Sequence, residues 1–593
     1  MAAVQGRHRQ LRSQKAQTVA NRRTFDNLVD LRRAPTVIWE IAPKSANLPR
    51  RAPLRPDHAM ALAFADQFQA NLAKLAELKA VDRLWQRDGT LFSADIEVAR
   101  SVRNRLGWMY SAQVMRDQVE RLAVLAKVVE RQRYDRVLVL GMGGSSLWPE
   151  VVGRHLQGQR GLPVRIADST HPAAVSELIE WGRQGKPLFV VATKSGSTVE
   201  TSSLYKVLRP LWNDGQHFVA ITDPGSGLET LAKAEGFRDI FLNPPDIGGR
   251  FSASSLFGLV PAVLAGVVLH DALGRIEEML EACREPDPAL NPGAALGAWL
   301  AAAEQCGRWQ MRLTLGKDVR GFGGWIEQLV AESTGKHGRG VLPVVGGVEG
   351  EGPALAAKME HAVVVGLSTF AHPDDSFLAR AQTAGVPDQA FVMPEAGDLW
   401  GEVIRWAYAT AICGLLLEIN PFDEPDVSSA KAATNALLSG QAQPVEPDQR
   451  LEVASVGALV QALQPRLDTL SKDDYLAVLA YLPPNQANTQ RLEALRTSLQ
   501  AKTAAAVVVQ FGPRYLHSTG QFHKGGLARG LFVLLTDLDQ PGLPDHAIAG
   551  APYTFAQLAK AQAQGDVWVL KQRGKPVVVA DLIASAVPQA PRD

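Results

Sequence analysis

Val137-Leu138-Val139-Leu140-Gly141-Met142-Gly143-Gly144-Ser145-Ser146 is an apolar run that ends in a glycine-rich turn and passes into a helix-forming stretch from about Leu147. A continuous apolar strand is what a sheet buried on both faces requires. Similar runs follow at 164–167, 188–192, 218–222 and 240–242, most of them separated by helix-length segments. Strands alternating with helices predict a parallel sheet whose ligands bind beyond the carboxyl ends of the strands. A fainter set of strands is expected at 363–365, 390–392, 506–509 and 567–570, with helical patterns over 296–333, 398–418, 428–439 and 451–463. The stretch 468–499 reads as a helical insertion, or else 475–482 adds a strand. The expected fold class is α/β, with two doubly wound parallel-sheet subdomains sharing one cleft.

Upstream, apolar residues recur at helical spacing (Phe64, Phe68, Leu72, Leu75, then Met115, Val119, Leu122), so a helical N-terminal cover is expected. Residues 1–57 carry many basic residues and few acids, which reads as a basic, disordered tail. The expected division is 1–57 tail, 58–134 helical segment, 135–290 first subdomain, and 291–593 second subdomain with an insertion and a C-terminal segment.

A formal net charge of +1 over 593 residues gives no electrostatic reason to expect nucleic acid or an anionic membrane as partner. The three cysteines, Cys283, Cys306 and Cys413, show no paired spacing, so a disulfide framework or zinc site is not expected and a reducing, cytoplasmic setting is. No apolar run is long enough to suggest a membrane span.

Chemistry concentrates in a few places. The turn Gly141–Ser146 frees backbone N–H groups at a helix start, where an anion is favoured. It matches neither dinucleotide nor Walker patterns. The second cradle, Thr193-Lys194-Ser195-Gly196-Ser197-Thr198-Val199-Glu200-Thr201, offers five hydroxyls at another helix start, so a phosphate monoester is expected between the two. Asp246-Ile247-Gly248-Gly249-Arg250-Phe251-Ser252 delivers one arginine beside a strongly apolar helix, a place suited to an oxyanion. In Glu332-Ser333-Thr334-Gly335-Lys336, a glutamate ending an apolar helix would become a usable base if buried. Lys431 follows the Pro-framed turn 420–427, where a cleft position is plausible beside the ordinary solvated one. Finally His517 and His523 lie in a glycine-flanked loop after a strand, as acid–base candidates with metal ligation as the rival reading.

Taken together and in order, these stretches resemble glucose-6-phosphate isomerases, and more narrowly the isomerase half of bacterial transaldolase–isomerase fusions, although no transaldolase half has room in the tail. The motifs are Gly-x-Gly-Gly-Ser at 141–145, Lys-Ser-Gly-Ser-Thr-x-Glu-Thr at 194–201, Asp-x-Gly-Gly-Arg-Phe-Ser at 246–252, Glu-Ser-Thr-Gly-Lys at 332–336, and Asn-Pro-Phe-Asp-x-Pro-x-Val with Lys431 at 420–431. The resemblance implies two sugar-isomerase-type (SIS) subdomains and reversible isomerisation of glucose 6-phosphate to fructose 6-phosphate, in glycolysis and gluconeogenesis, through a cis-enediolate. It implies no cofactor and no metal, and it suggests a homodimer. Gly144, Ser145, Thr193, Lys194, Ser195, Ser197 and Thr198 would hold the phosphate, and Gly249 and Glu424 would contact the sugar. Glu332 would be the base, Arg250 the enediolate stabiliser, and Lys431 with a histidine would open the ring.

Two departures stand out. The family's Gly-x-Asn-Gly-Gln-His run is absent between Glu332 and Lys431, and the nearest likeness, 518–523, comes after the lysine. His517 and His523 therefore both remain candidates. Glu424 also stands where the family has Gln. The rival functions are isomerisation of another sugar phosphate, such as mannose 6-phosphate, and a sugar-phosphate sensor without turnover. Arg250→Lys keeps the charge and loses the planar fork. It is expected to lower kcat far more than it weakens sugar-phosphate binding, measured by steady-state kinetics beside thermal-shift titration.

Overall fold

A computed structural model describes residues 38–39, 59–349, 351–373, 376–527 and 529–583. The expected basic tail lies outside the described residues, except that Ile38–Trp39 form a short parallel strand on the edge of a sheet. Among the described residues the strands form three five-stranded parallel sheets where two sheets were expected.

The first sheet has the order Val164–Ala167, Arg136–Leu140, Pro187–Ala192, Phe218–Thr222, Asp239–Leu242. Its central strands are buried along nearly their whole length, as their continuous apolar runs require. The chain reverses direction across the sheet between Arg136–Leu140 and Pro187–Ala192. At such a switch point the following loops diverge and leave a crevice. Both expected phosphate cradles leave the sheet there.

The second sheet runs Ile38–Trp39, Asp388–Met393, Ala362–Thr369, Gln310–Leu315, Leu342–Val345. Gln310–Leu315 falls inside a segment expected to be helical. The helix Pro292–Gln305 occupies only the first part of that segment, with Asn291 accepting from the N–H groups of Gly293 and Ala294. The strand alternates Gln310, Arg312 and Thr314 with Met311, Leu313 and Leu315, and only the latter three join the main core.

The third sheet, in the order Gln449–Val453, Val577–Leu582, Leu531–Thr536, Tyr475–Tyr481, Ala506–Phe511, fills the C-terminal part of the expected second subdomain. Tyr475–Tyr481 is thus a strand, and the expected insertion reduces to the helix Gln486–Gln500. The apolar run 567–570 is not a strand. It closes the helix Phe555–Gln572, which a reciprocal capping box between Thr554 and Gln557 starts. Its β-branched residues favour a strand locally, but Val567, Val569 and Leu570 meet the core on this helix.

The N-terminal helices, one face of the first sheet, the second sheet and the long helix Leu399–Leu416 share one apolar core. The third sheet packs on the second through Leu342, Val344, Trp309 and Tyr475. The helix Phe555–Gln572 meets the outer face of the first sheet through Phe555 and Leu558. The widened helical turn Gln328–Glu332 meets the strand Leu342–Val345 of the second sheet, the loop Gly249–Ser254 that follows the first sheet and the helix Gly520–Gly525 of the third unit.

One glycine sets how closely the site's loops approach. A Cβ on Gly144 would lie 1.9 Å from the carbonyl oxygen of Gly249, so the first cradle touches the arginine loop backbone to backbone. Gly144→Ala is expected to destabilise the protein by about 1–3 kcal/mol, the usual cost of overpacking. Thermal unfolding should show it as a lowered midpoint.

Candidate active site

The first cradle is a tight turn, Gly143–Ser145, before the helix Leu147–His155. Ser146 is buried and donates its hydroxyl to the Gly143 carbonyl at 3.1 Å, which leaves Ser145 as the partly exposed hydroxyl. In the second cradle Thr193 Oγ1 lies 2.9 Å from Thr198 Oγ1, and Ser195 Oγ lies 2.9 Å from Ser197 Oγ. Thr198 precedes the helix Val199–Leu208 without capping it through its side chain, so first-turn N–H groups remain available to an anion. Lys194, expected among the phosphate ligands, instead gives its ammonium to Asp223 and to the Pro245 carbonyl at 2.9 Å.

Arg250 is 6% exposed and sits where the loops meet. Its Nε donates to Ser333 Oγ at 2.8 Å, and Nη2 donates to the carbonyls of Pro421 and Asp423 at 2.7 and 2.8 Å. Nη1 donates to Glu424 Oε2 at 3.0 Å and lies 3.5 Å from Glu332 Oε1. Burial works against the charge, but Glu332 and Glu424 outweigh it and hold the guanidinium above its ordinary range. Nη1 is thus the corner of the fork that two carboxylates share.

Glu332 is 7% exposed and ends the widened turn Gln328–Glu332. Burial pushes its carboxyl above the ordinary range; Arg250 opposes this and Glu424 adds to it. Gln328 Nε2 donates to Glu332 Oε2 at 3.1 Å and to the His517 carbonyl at 2.8 Å, tying the acid to the third sheet's loop. Buried Lys336 reaches Asp423 Oδ1 at 2.8 Å, and burial, with Arg250 nearby, pushes its ammonium down to about 8. Glu424 is half-exposed at the start of the helix Pro425–Leu438, and Gly249 is exposed beside Arg250.

The two histidines part company. His523, on the helix Gly520–Gly525, is fully buried against the third sheet and stacked on Tyr475, with Nε2 3.1 Å from Gln510 Oε1 and Nδ1 3.3 Å from the Tyr475 hydroxyl. Burial pushes its titration well below the usual histidine range. His517 lies on the cleft side, with Nε2 2.9 Å from Glu200 Oε1. Glu200 is buried in the first turn of the helix that follows the second cradle, and it also accepts from Gln562 Nε2 at 2.7 Å. Burial alone would raise the Glu200 carboxyl, but His517 first, and Lys431 more weakly, bring it below its ordinary range. Lys431 is exposed, and among the described residues no hydrogen bond or ion pair holds its ammonium.

Sequence reading missed Ser333, Gln328, Glu200 and Gln562 as parts of this arrangement. Gln328 was within reach, since it precedes Glu332 by four residues in a helical stretch. Glu200 lay inside a quoted motif, but nothing local told that a histidine more than 300 residues later would meet it. Gln562 gave no signal.

By fold and site, then, the chain is an α/β protein with two anion cradles at a sheet's switch point, facing an arginine, a buried glutamate and a histidine–glutamate pair. No family model matches the chain. Its curated relatives are named glucose-6-phosphate isomerase. The one from Synechococcus sp. (strain JA-3-3Ab) is 35% identical over 242 residues, 38% of this chain and 46% of that one. The one from Carboxydothermus hydrogenoformans is 26% identical over 398 residues, 57% of this chain and 85% of that one. For several of these relatives, the chain spans only about half of their length. Among solved structures, a hypothetical protein from Thermus thermophilus shares the fold with a TM-score of 0.53 and 22% identity, over 64% of this chain and 98% of that one.

A raised Glu332 carboxyl places the acid limb of any reaction it serves as a base above the usual glutamate range, with activity rising as the group ionises. Because Glu424's charge raises Glu332, Glu424→Gln should move that limb to lower pH. A pH profile of kcat/KM for the variant and the parent protein checks it.

Proposed function

We propose that this chain interconverts glucose 6-phosphate and fructose 6-phosphate, the step shared by glycolysis and gluconeogenesis. The carrying observation is Arg250 Nη1 within 3.5 Å of the buried Glu332 carboxylate, beside two hydroxyl-rich helix starts. A base with a raised pKa next to a fixed guanidinium suits proton transfer α to a carbonyl, since the charge that develops on the oxygens has a cation waiting.

In this reading the cradle N–H groups and the hydroxyls of Ser145, Ser195, Ser197 and Thr198 hold the phosphate, with Thr193 supporting Thr198. His517, kept in place by Glu200, moves the proton needed to open the pyranose ring, and exposed Lys431 lends positive charge beside that pair. Ionised Glu332 takes the proton from C2 of the open aldose and returns it to C1. Arg250 holds the cis-enediolate in between through the Nη1 corner, and Glu424 sits at the sugar end of the same corner. His523, enclosed in the third sheet's core, takes no part. Every group lies in one chain, so the reading does not require a second copy to complete the site.

Glu332→Gln is expected to cut interconversion by about 10²–10⁴-fold, the usual worth of a general base, while sugar phosphate still raises the melting temperature. A dehydrogenase-coupled assay from fructose 6-phosphate measures the first, and loss of deuterium exchange at C2 in heavy water confirms the step affected. Near wild-type turnover in this variant would remove Glu332 from the role. Mannose 6-phosphate in a matching assay separates the other sugar-phosphate reading. Binding without C2 exchange in the parent protein would favour a sensor.

A further inference from the structure

His517 reaches the cleft from the third sheet, yet its partners belong to the first sheet and to the turn that carries Glu332. Something must hold the third unit in register against the first to within hydrogen-bond tolerance. Arg514 opens the same tight turn, Arg514–His517. Its Nη1 donates to Glu150 Oε2 at 2.7 Å, its Nη2 to Asp168 Oδ1 at 3.0 Å, and its Nε lies 2.7 Å from Asp168 Oδ2. Glu150 belongs to the helix that follows the first phosphate cradle, and Asp168 directly follows the neighbouring strand Val164–Ala167. From within its own unit, the turn is tied by the Tyr515 hydroxyl, which donates to Asp566 Oδ2 at 2.6 Å.

We infer that Arg514 is a positioning residue for the proposed isomerisation: its fork clamps Glu150 and Asp168 and thereby fixes His517 against Glu200 beside the first cradle. The inference rests on the reading of the site as an isomerase. The chemistry of the clamp calls for arginine. Two carboxylates from different elements accept from the two Nη groups of one planar fork, with Nε beside Asp168 as well, a geometry a lysine's single ammonium does not reproduce. Asp168 stands just past the carboxyl end of its strand and Glu150 on the helix that leaves the first cradle, so the contact ties the third unit to the end of the first sheet where that cradle lies.

Arg514→Met and Arg514→Lys test this. A displacement of His517 by about 1 Å is expected to lower kcat about 10²-fold, with KM for fructose 6-phosphate changed less than about threefold. The ¹⁵N signals of the His517 ring, which report its bond to Glu200, should move in both variants, and more in Arg514→Met. If Arg514→Met does not fold, Arg514→Lys decides. Turnover within about threefold of the parent in a folded variant overturns the inference. So does a loss of sugar-phosphate binding with unmoved His517 signals, which would make Arg514 a support of the cradle alone. A parent protein inert toward hexose phosphates would instead sink the isomerase reading, and the ring signals would still decide whether the clamp places His517.

Discussion

A guanidinium taken out of water must be met by acceptors on nearly all sides, because an ion of its size left unpaired in a protein interior costs several kcal/mol. Arg250 meets that demand with Ser333, two backbone carbonyls from the turn after the long apolar helix, and two glutamates. These partners come from two separate parts of the chain. The requirement therefore draws the glycine loop of the first unit, the end of the Glu332 turn and the 420–424 turn to one point. The backbone contact of Gly144 with Gly249 then brings the first phosphate cradle to the same place. Burial and then the neighbouring Glu424 carboxylate raise Glu332 above its ordinary range, against the opposing pull of Arg250.

The three sheets divide the work. The first supplies the two glycine- and hydroxyl-rich helix starts, at the switch point where its loops diverge. The second carries the helix and the widened turn that present Gln328 and Glu332. A π-type turn projects side chains differently from a regular helix, which is why such turns recur at functional sites. The third meets the first through Arg514 and brings His517 to Glu200. Gln328 joins the last two contributions by bridging Glu332 and the His517 carbonyl.

The short-range parts of this arrangement were legible in the sequence. The five strands of the first sheet carry apolar runs bounded by turns, and each was found. Arg250, Glu332 and the hydroxyl-rich cradle announce themselves through local glycine, helix-end and capping chemistry. The second and third sheets were harder to see. Gln310–Leu315 alternates in a way that helical packing of its neighbours masked, and 567–570 looks like a strand until its long capped helix is seen. The ammonium of Lys194 rests on Asp223 of the next strand's loop, a contact that its motif does not announce.

The sequence by itself determined the α/β class, the glycine- and hydroxyl-rich helix starts and the arginine and glutamate that stand side by side, because those depend on residue type and on periods of two to four residues. Only the tertiary structure decided that there are three sheets, that His517 pairs with Glu200 while His523 is enclosed against the third sheet, and that Gln328 joins the His517 carbonyl to Glu332. The physical reason is range. A histidine's role depends on whether its ring nitrogens end against the core of its own sheet or against a carboxylate 317 residues earlier, and no local pattern encodes that distance.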